Sequence, residues 1–167
     1  MKEYKFENFC LIKSSKRVFA NQYTSSGIPF YRGKEITLLS MGQDVFDALY
    51  INENSYNQLK ASGIPQYNDI LITAVGTIGS VWLVNTNEPF YFKDGNIIWL
   101  SKIKDHIILP KYLKYVMSSS YFQKKIEEIS IGSNQKALTI DALKKQQIFI
   151  PEINIQQHIV DIRRNIA

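Results

Sequence analysis

Residues 69–84 constrain the fold more than any other stretch of this chain. Ile70, Leu71 and Ile72 run through Thr73 and Val75 into Gly76-Thr77-Ile78-Gly79, and Val81, Trp82, Leu83 and Val84 follow. Two apolar runs about a glycine-bracketed turn read as a β-hairpin. The two glycines suit a turn that needs positive φ.

The other signals are mixed. Residues 6–12 read as a strand leading into a polar, basic turn at 13–17. Ile28 to Tyr31, between Gly27 and Gly33, and the run 95–100 with Ile97, Ile98 and Trp99 read as further strands. Residues 52–62 have helical spacing, with Tyr56 and Leu59 on one side and Gly63 as a stop. A long helix is predicted from Pro110, a favoured first-turn residue, to Gly132. Leu113, Val116 and Met117 form one apolar stripe on it, and Phe122, Ile126 and Ile129 another. A short helix at 141–145, begun or capped by Asp141, and a strand at 147–150, stopped by Pro151, complete this part.

The last segment differs in kind. Asn154 and Gln157 have capping-box spacing. Ile155, Ile159, Ile162 and Ile166 then recur at steps of four, three and four, the narrow seam of a coiled coil. Two readings stay open: the first turns of a longer helix with a seam for a partner, or a helix packed on its own domain.

At 167 residues, with ten Tyr, nine Phe and two Trp, the chain has the size and composition of one folded domain. Cys10, the only cysteine, sits among Phe9, Leu11 and Ile12 and reads as a buried thiol in a reducing compartment. The first residues lack a signal core, and no apolar run approaches the roughly 20 residues of a membrane helix. These features predict a cytoplasmic location and no membrane partner.

The motifs do not predict catalysis. His106 and His158 have no second histidine or cysteine at ligand spacing. Gly76-Thr77-Ile78-Gly79 lacks the lysine and spacing of a phosphate loop. Asn87-Glu88-Pro89-Phe90 resembles an amino-methyltransferase motif only superficially, with Glu88 where that motif has proline. Asp69, Glu88, Asp94 and Lys102 are too loosely spaced for a metal nuclease. The sequence predicts no catalytic residue, no metal ligand and no cofactor.

Binding residues are easier to nominate. The net charge of +5 suits a polyanionic partner without requiring one. Lys13, Ser15, Lys16 and Arg17 form a basic, hydroxyl-rich turn, suited to phosphates or simply to solvent. Arg32 and Lys34 flank Gly33. Ser133, Asn134, Gln135 and Lys136 follow the long helix; Asn and Gln can pair with an adenine edge, and Lys reaches guanine or phosphate. The same residues also make ordinary turns. Tyr31 and Tyr91 are expected as core aromatics.

The order of these pieces resembles one family. Ser26-Gly27-Ile28-Pro29-Phe30, followed by Arg32 and Glu35-Ile36, resembles the early strand segment of a target recognition domain in type I restriction-modification specificity subunits. Asn68-Asp69-Ile70-Leu71-Ile72-Thr73, then Gly76-Thr77-Ile78-Gly79, is similar to that family's "GDIL…GTIG" hairpin, with Asn68 in place of glycine. Asn96-Ile97 resembles its next strand, and Gly132-Ser133 with Gln135, Leu138 and Ile140 its "GS.Q..L.I" loop. Ile148-Phe149-Ile150-Pro151, with Gln156 or Gln157 and Ile159-Val160, resembles "I.IP…EQ..IV" at the start of the spacer helix, with Gln156 taken in place of the usual Glu.

The resemblance implies an α+β domain at 1–151, a mixed twisted β-sheet core with flanking helices, that reads one half of a bipartite double-stranded DNA site. It implies that 152–167 begins a coiled-coil spacer helix. It also implies a methyltransferase (modification) subunit using S-adenosylmethionine and a restriction subunit as partners, and a second half-subunit or self-association through the C-terminal helix. An excised domain, a natural half-subunit and a truncated product all fit. The alternatives are a non-catalytic protein-interaction module, a fragment of a related methyltransferase-nuclease recognition domain, or a small nuclease.

Overall fold

The computed structural model describes residues 1–166; Ala167, the last residue of the predicted 152–167 segment, lies outside them. In chain order the elements are β1 (Lys2–Lys5), α1 (Phe6–Phe9), β2 (Leu11–Lys13), β3 (Tyr23–Thr24), β4 (Ile28–Tyr31), α2 (Gly33–Ser40), β5 (Leu49–Ile51) and α3 (Glu53–Lys60). There follow β6 (Ile70–Thr73), β7 (Val81–Leu83), β8 (Tyr91–Phe92), β9 (Ile97–Ser101), α4 (Pro110–Ser118), α5 (Ser120–Ile129), α6 (Ile140–Lys144), β10 (Gln147–Ile150) and α7 (Ile153–Ile166). Among the described residues no helix is long and apolar enough to cross a membrane.

The α+β class holds, with the strands divided among three sheets. The hairpin forms as expected: β6 and β7 pair antiparallel, Ile72 opposite Val81. They are half of a four-stranded antiparallel sheet ordered β2-β9-β6-β7. This sheet is buried on both faces. Alternate residues point to opposite sides, so Ile70, Ile72, Ile98 and Leu100 join one core with Phe6, Leu113, Met117 and Phe122. Leu71, Trp82, Ile97 and Trp99 join a second core with Ile36, Phe90 and Phe92. A second four-stranded sheet, β3-β5-β4-β8, contains the one parallel pairing among the described strands, β4 with β8. β1 and β10 pair apart from both.

Several expectations need correction. The predicted strand at 6–12 is one helical turn, α1, followed by the start of β2. Phe6 and Phe9, three residues apart, are both fully buried on that turn, their rings 5.0 Å apart. The long helix is two helices broken at Ser119, whose hydroxyl donates to the Val116 carbonyl at 2.6 Å and accepts from the Phe122 amide at 3.3 Å. It therefore stops α4 and caps α5. Glu35-Ile36, grouped by the resemblance with the early strand segment, lie in α2. α6 is capped by Thr139, whose hydroxyl accepts from the Ala142 amide at 3.1 Å, with Asp141 inside its first turn.

α7 is a helix as expected, but its capping box is not formed. The Gln157 amide instead donates to Asp161 at 2.9 Å. The buried residues of α7 are Gln156 and Val160. Gln156 accepts from the Leu109 amide at 2.8 Å and donates to the carbonyls of Ile107 and Pro151 at 2.9 and 2.8 Å. With Ile159-Val160 fixing the register of "EQ..IV", the motif's glutamine is Gln156 and its glutamate position is Ile155. α7 lies along α4 in the same direction, with Gln156 at Leu109 and the Arg163 guanidinium 4.9 Å from the Tyr115 ring centre.

Candidate nucleic-acid interface

The antiparallel order of the central sheet puts the ends of β2 and β6 and the starts of β7 and β9 at one edge. Hydrogen bonds tie the loops there into one surface. The Ser14 hydroxyl donates to the Ile97 carbonyl at 3.3 Å and accepts from the Gly95 amide at 3.2 Å. The Ala74 amide donates to the Asn96 carbonyl at 2.8 Å, and the Leu138 amide to the Ala74 carbonyl at 2.8 Å. From the second sheet, the Lys93 amide donates to the Tyr31 carbonyl at 2.9 Å. α2 reaches the same edge: the Thr37 and Ser80 hydroxyls are 3.1 Å apart, and a Cβ on Gly33 would stand 3.9 Å from Thr73 Cγ2. The structure thus puts the three groups of residues nominated from sequence at the same loop end of the central sheet.

Within this loop end the nominated residues divide into occupied and exposed groups. The Lys13 ammonium lies 4.2 Å from the Trp99 ring centre, and its charge acts on the buried Asp69. The Ser15 hydroxyl donates to the Phe92 carbonyl at 2.7 Å. The Lys16 amide donates to the Tyr91 hydroxyl at 2.7 Å while the Lys16 side chain faces solvent. Arg17 donates through Nε to Asp94 at 3.1 Å, yet its side chain is 68% exposed. Lys34 is exposed, as are Ser133, Asn134, Gln135 and Lys136.

Arg32 is held more firmly. Its Nε and Nη2 donate to the two Glu35 oxygens at 3.2 and 2.9 Å, and its backbone amide donates to Oε2 at 2.8 Å. Burial pushes the Glu35 carboxyl up, but the hydrogen bonds and charge of Arg32 outweigh it and hold the carboxyl below its usual range. The guanidinium remains about one-third exposed and fixed in direction. Its Nε/Nη2 fork is spent on Glu35, which leaves the Nη1 side of the guanidinium to meet a phosphate.

The 132–136 loop is closed by reciprocal bonds between Ile131 and Ala137, at 3.0 and 2.8 Å, and a further bridge joins Ala137 to Val75. Gly132 makes the closure with φ of 138°; a Cβ there would stand 2.1 Å from the Gln135 carbonyl oxygen. The polar side chains are therefore carried on a tight, outward loop beside the hairpin tip.

Several contributors were not visible in sequence. Asp94 pairs with Arg17 across a separation of 77 residues. Gln123 on α5 donates to the carbonyls of Gly79 and Met117 at 2.9 and 2.7 Å, clamping the hairpin turn. Neither carries a local motif. The four loosely spaced residues do not converge. Asp69 is buried and accepts from Trp99 Nε1 at 2.8 Å, Glu88 lies in the exposed turn before β8, and Asp94 and Lys102 flank opposite ends of β9.

Residues 1–165 match the family profile described as type I restriction modification DNA specificity domain. A Haemophilus influenzae protein bearing the name of a type I restriction enzyme specificity subunit is 35% identical over 154 residues, covering 90% of this chain and 36% of its own length. The fold is similar to the S subunit of the type I restriction-modification system from M. genitalium, with TM-score 0.67 at 16% identity over 96% of this chain and 37% of that one. It is also similar to the HsdS subunit from Thermoanaerobacter tengcongensis, with TM-score 0.66 at 17% identity over 99% of this chain and 37% of that one. The chain spans little more than a third of the length of these relatives.

Proposed function

The chain belongs to the type I restriction-modification DNA specificity family, and from that premise we propose that it reads one half of a bipartite DNA site with the loop end of its central sheet. The observation that carries this reading is the convergence of the basic turn, the Arg32–Lys34 segment and the 132–136 loop on one edge.

Each group has a physical role on this reading. Lys16, Lys34 and Lys136, exposed and with no carboxylate within 4.0 Å among the described residues, neutralise phosphates. Arg17, restrained by Asp94, and Arg32, paired with Glu35, face the backbone. Lys13 and Ser15, occupied inside the fold, hold the basic turn in place. Ser133, Asn134 and Gln135 meet base edges.

Methylation and cleavage belong, on the same reading, to separate modification and restriction subunits. This chain is non-catalytic, takes no cofactor of its own and works in the cytoplasm. Residues 1–151 are the recognition domain and 152–167 the start of the spacer helix. The isoleucine seam supports a helical partner, either a second half-subunit or a second copy. Ile155, Ile162 and Ile166 are 50, 43 and 79% exposed, and Ile159 is half-buried beside Arg163 in the groove between α4 and α7.

Selection from a randomised duplex pool at low salt tests the reading. A single enriched short consensus supports it; no enrichment over the starting pool refutes it.

A further inference from the structure

One large apolar side chain at the loop end stands clear of the fold. Phe46 is 91% exposed, in the segment 41–48 between α2 and β5. This segment is held in place. The Gly42 and Gln43 amides donate to the carbonyls of Leu39 and Leu38 at 3.1 and 3.0 Å, a paired reversal made with Gly42 at φ 73°. The chain then doubles back along α2, and a cleft of about 560 Å3 forms between it and Lys34, Glu35 and Leu38. Phe46 therefore lies beside the first turn of α2, next to exposed Lys34.

We propose that this segment is a base-reading tip, with Phe46 seated on the C5-methyl group of a thymine in the major groove; the inference rests on the DNA-binding reading above. Three observations combine to favour it. A phenyl ring left in water forgoes the stabilisation that burial gives, and at 91% exposure, beside Lys34, the Phe46 ring is free to gain it on binding. Its exposed neighbours Asp44 and Asp47 are repelled by phosphates, which keeps the tip off the backbone. A narrow minor groove, with its concentrated negative potential, repels them further. The major groove alone offers thymine methyl groups to an apolar tip and cytosine amino groups to a carboxylate. Lys34 and Arg32, on the adjoining helix start, provide the phosphate contacts that such a tip needs on either side.

The test uses the full chain and the duplex it enriches from a randomised pool. Each thymine of that duplex is replaced in turn by deoxyuridine, which lacks only the methyl group. One replacement weakens binding of the unaltered protein by about four-fold, the share of one buried methyl group. Phe46→Ala binds the thymine duplex more weakly by at least that factor, is indifferent to the same replacement and keeps its salt dependence. Equal affinity and equal thymine dependence of Phe46→Ala and the unaltered protein overturn the inference and leave the DNA-binding reading intact. Failure of the unaltered protein to enrich any duplex overturns both. Because Phe46 is exposed, its replacement leaves the thermal transition unchanged, which separates loss of contact from loss of fold.

Discussion

The side-chain oxygen of Gln156 accepts the backbone amide of Leu109 at 2.8 Å, and this bond seats the C-terminal helix on the domain. Gln156 is fully buried, and its amide nitrogen is spent on two carbonyls. Gln156→Leu strands one donor and leaves two acceptors short of a partner, so it costs about 2–4 kcal/mol in denaturant unfolding. Gln156→Glu sets a carboxylate against two carbonyl oxygens. It is destabilised at neutral pH and recovers as acid protonates the carboxyl, because burial favours the neutral form. A pH-independent deficit would contradict this account.

Glu35 gives a pH dependence of opposite sign. Its folded carboxyl is held below the usual range by Arg32. The stabilisation is complete above the unfolded value, near pH 4.3, and disappears as pH falls through the lower folded value. Glu35→Gln therefore loses about 1–2 kcal/mol at pH 7, discounted because the Arg32 side chain is 36% exposed. The difference from the unaltered protein narrows as pH falls through the folded value. Acid titration of both by circular dichroism checks the crossing.

Asp94 restrains a cation that the proposed function uses. The Arg17–Asp94 pair is largely exposed, so Asp94→Asn changes stability by less than about 1 kcal/mol. Removing the carboxylate also removes a local repulsion of phosphate. Non-specific duplex binding tightens, and its salt dependence steepens by up to about one phosphate equivalent. Weaker binding would place Asp94 among the groups that hold the loop for DNA.

The 132–136 loop separates affinity from preference. Gln135→Ala relaxes base preference at one position by about 1–3 kcal/mol. Gly132→Ala drives a Cβ into the Gln135 carbonyl, opens the loop and lowers sequence preference while leaving most of the salt dependence. Uniform weakening on all duplexes by Gln135→Ala would make that residue a backbone contact.

Much of this was legible where local chemistry and the final fold agree. The hairpin at 69–84, β10 and α3 were written in apolar runs and glycine or proline stops. Elsewhere tertiary burial decided. A short apolar run such as 6–12 does not distinguish strand from helix by pattern alone, and the pairing of Phe6 with Phe9 inside the core selects one turn of helix. Ser118-Ser119-Ser120 did carry a break signal, since serine competes for backbone groups, but continuous apolar stripes on both sides hid it. The start of α2 lay behind Gly33, where Glu35 makes its bond back to Arg32. Asp94 and Gln123 act across long sequence separations and leave no local trace.

The central claim is that the loop end is where DNA sits, and one measurement tests it most directly. The slope of log affinity against log salt is measured on one duplex for the unaltered protein and for the Lys16→Ala/Lys34→Ala/Lys136→Ala variant. If all three lysines meet phosphates, the variant's slope is shallower by about 2.7, at roughly 0.9 for each contact, with its thermal transition unmoved. Identical slopes would place the DNA on another face of the molecule and contradict the account.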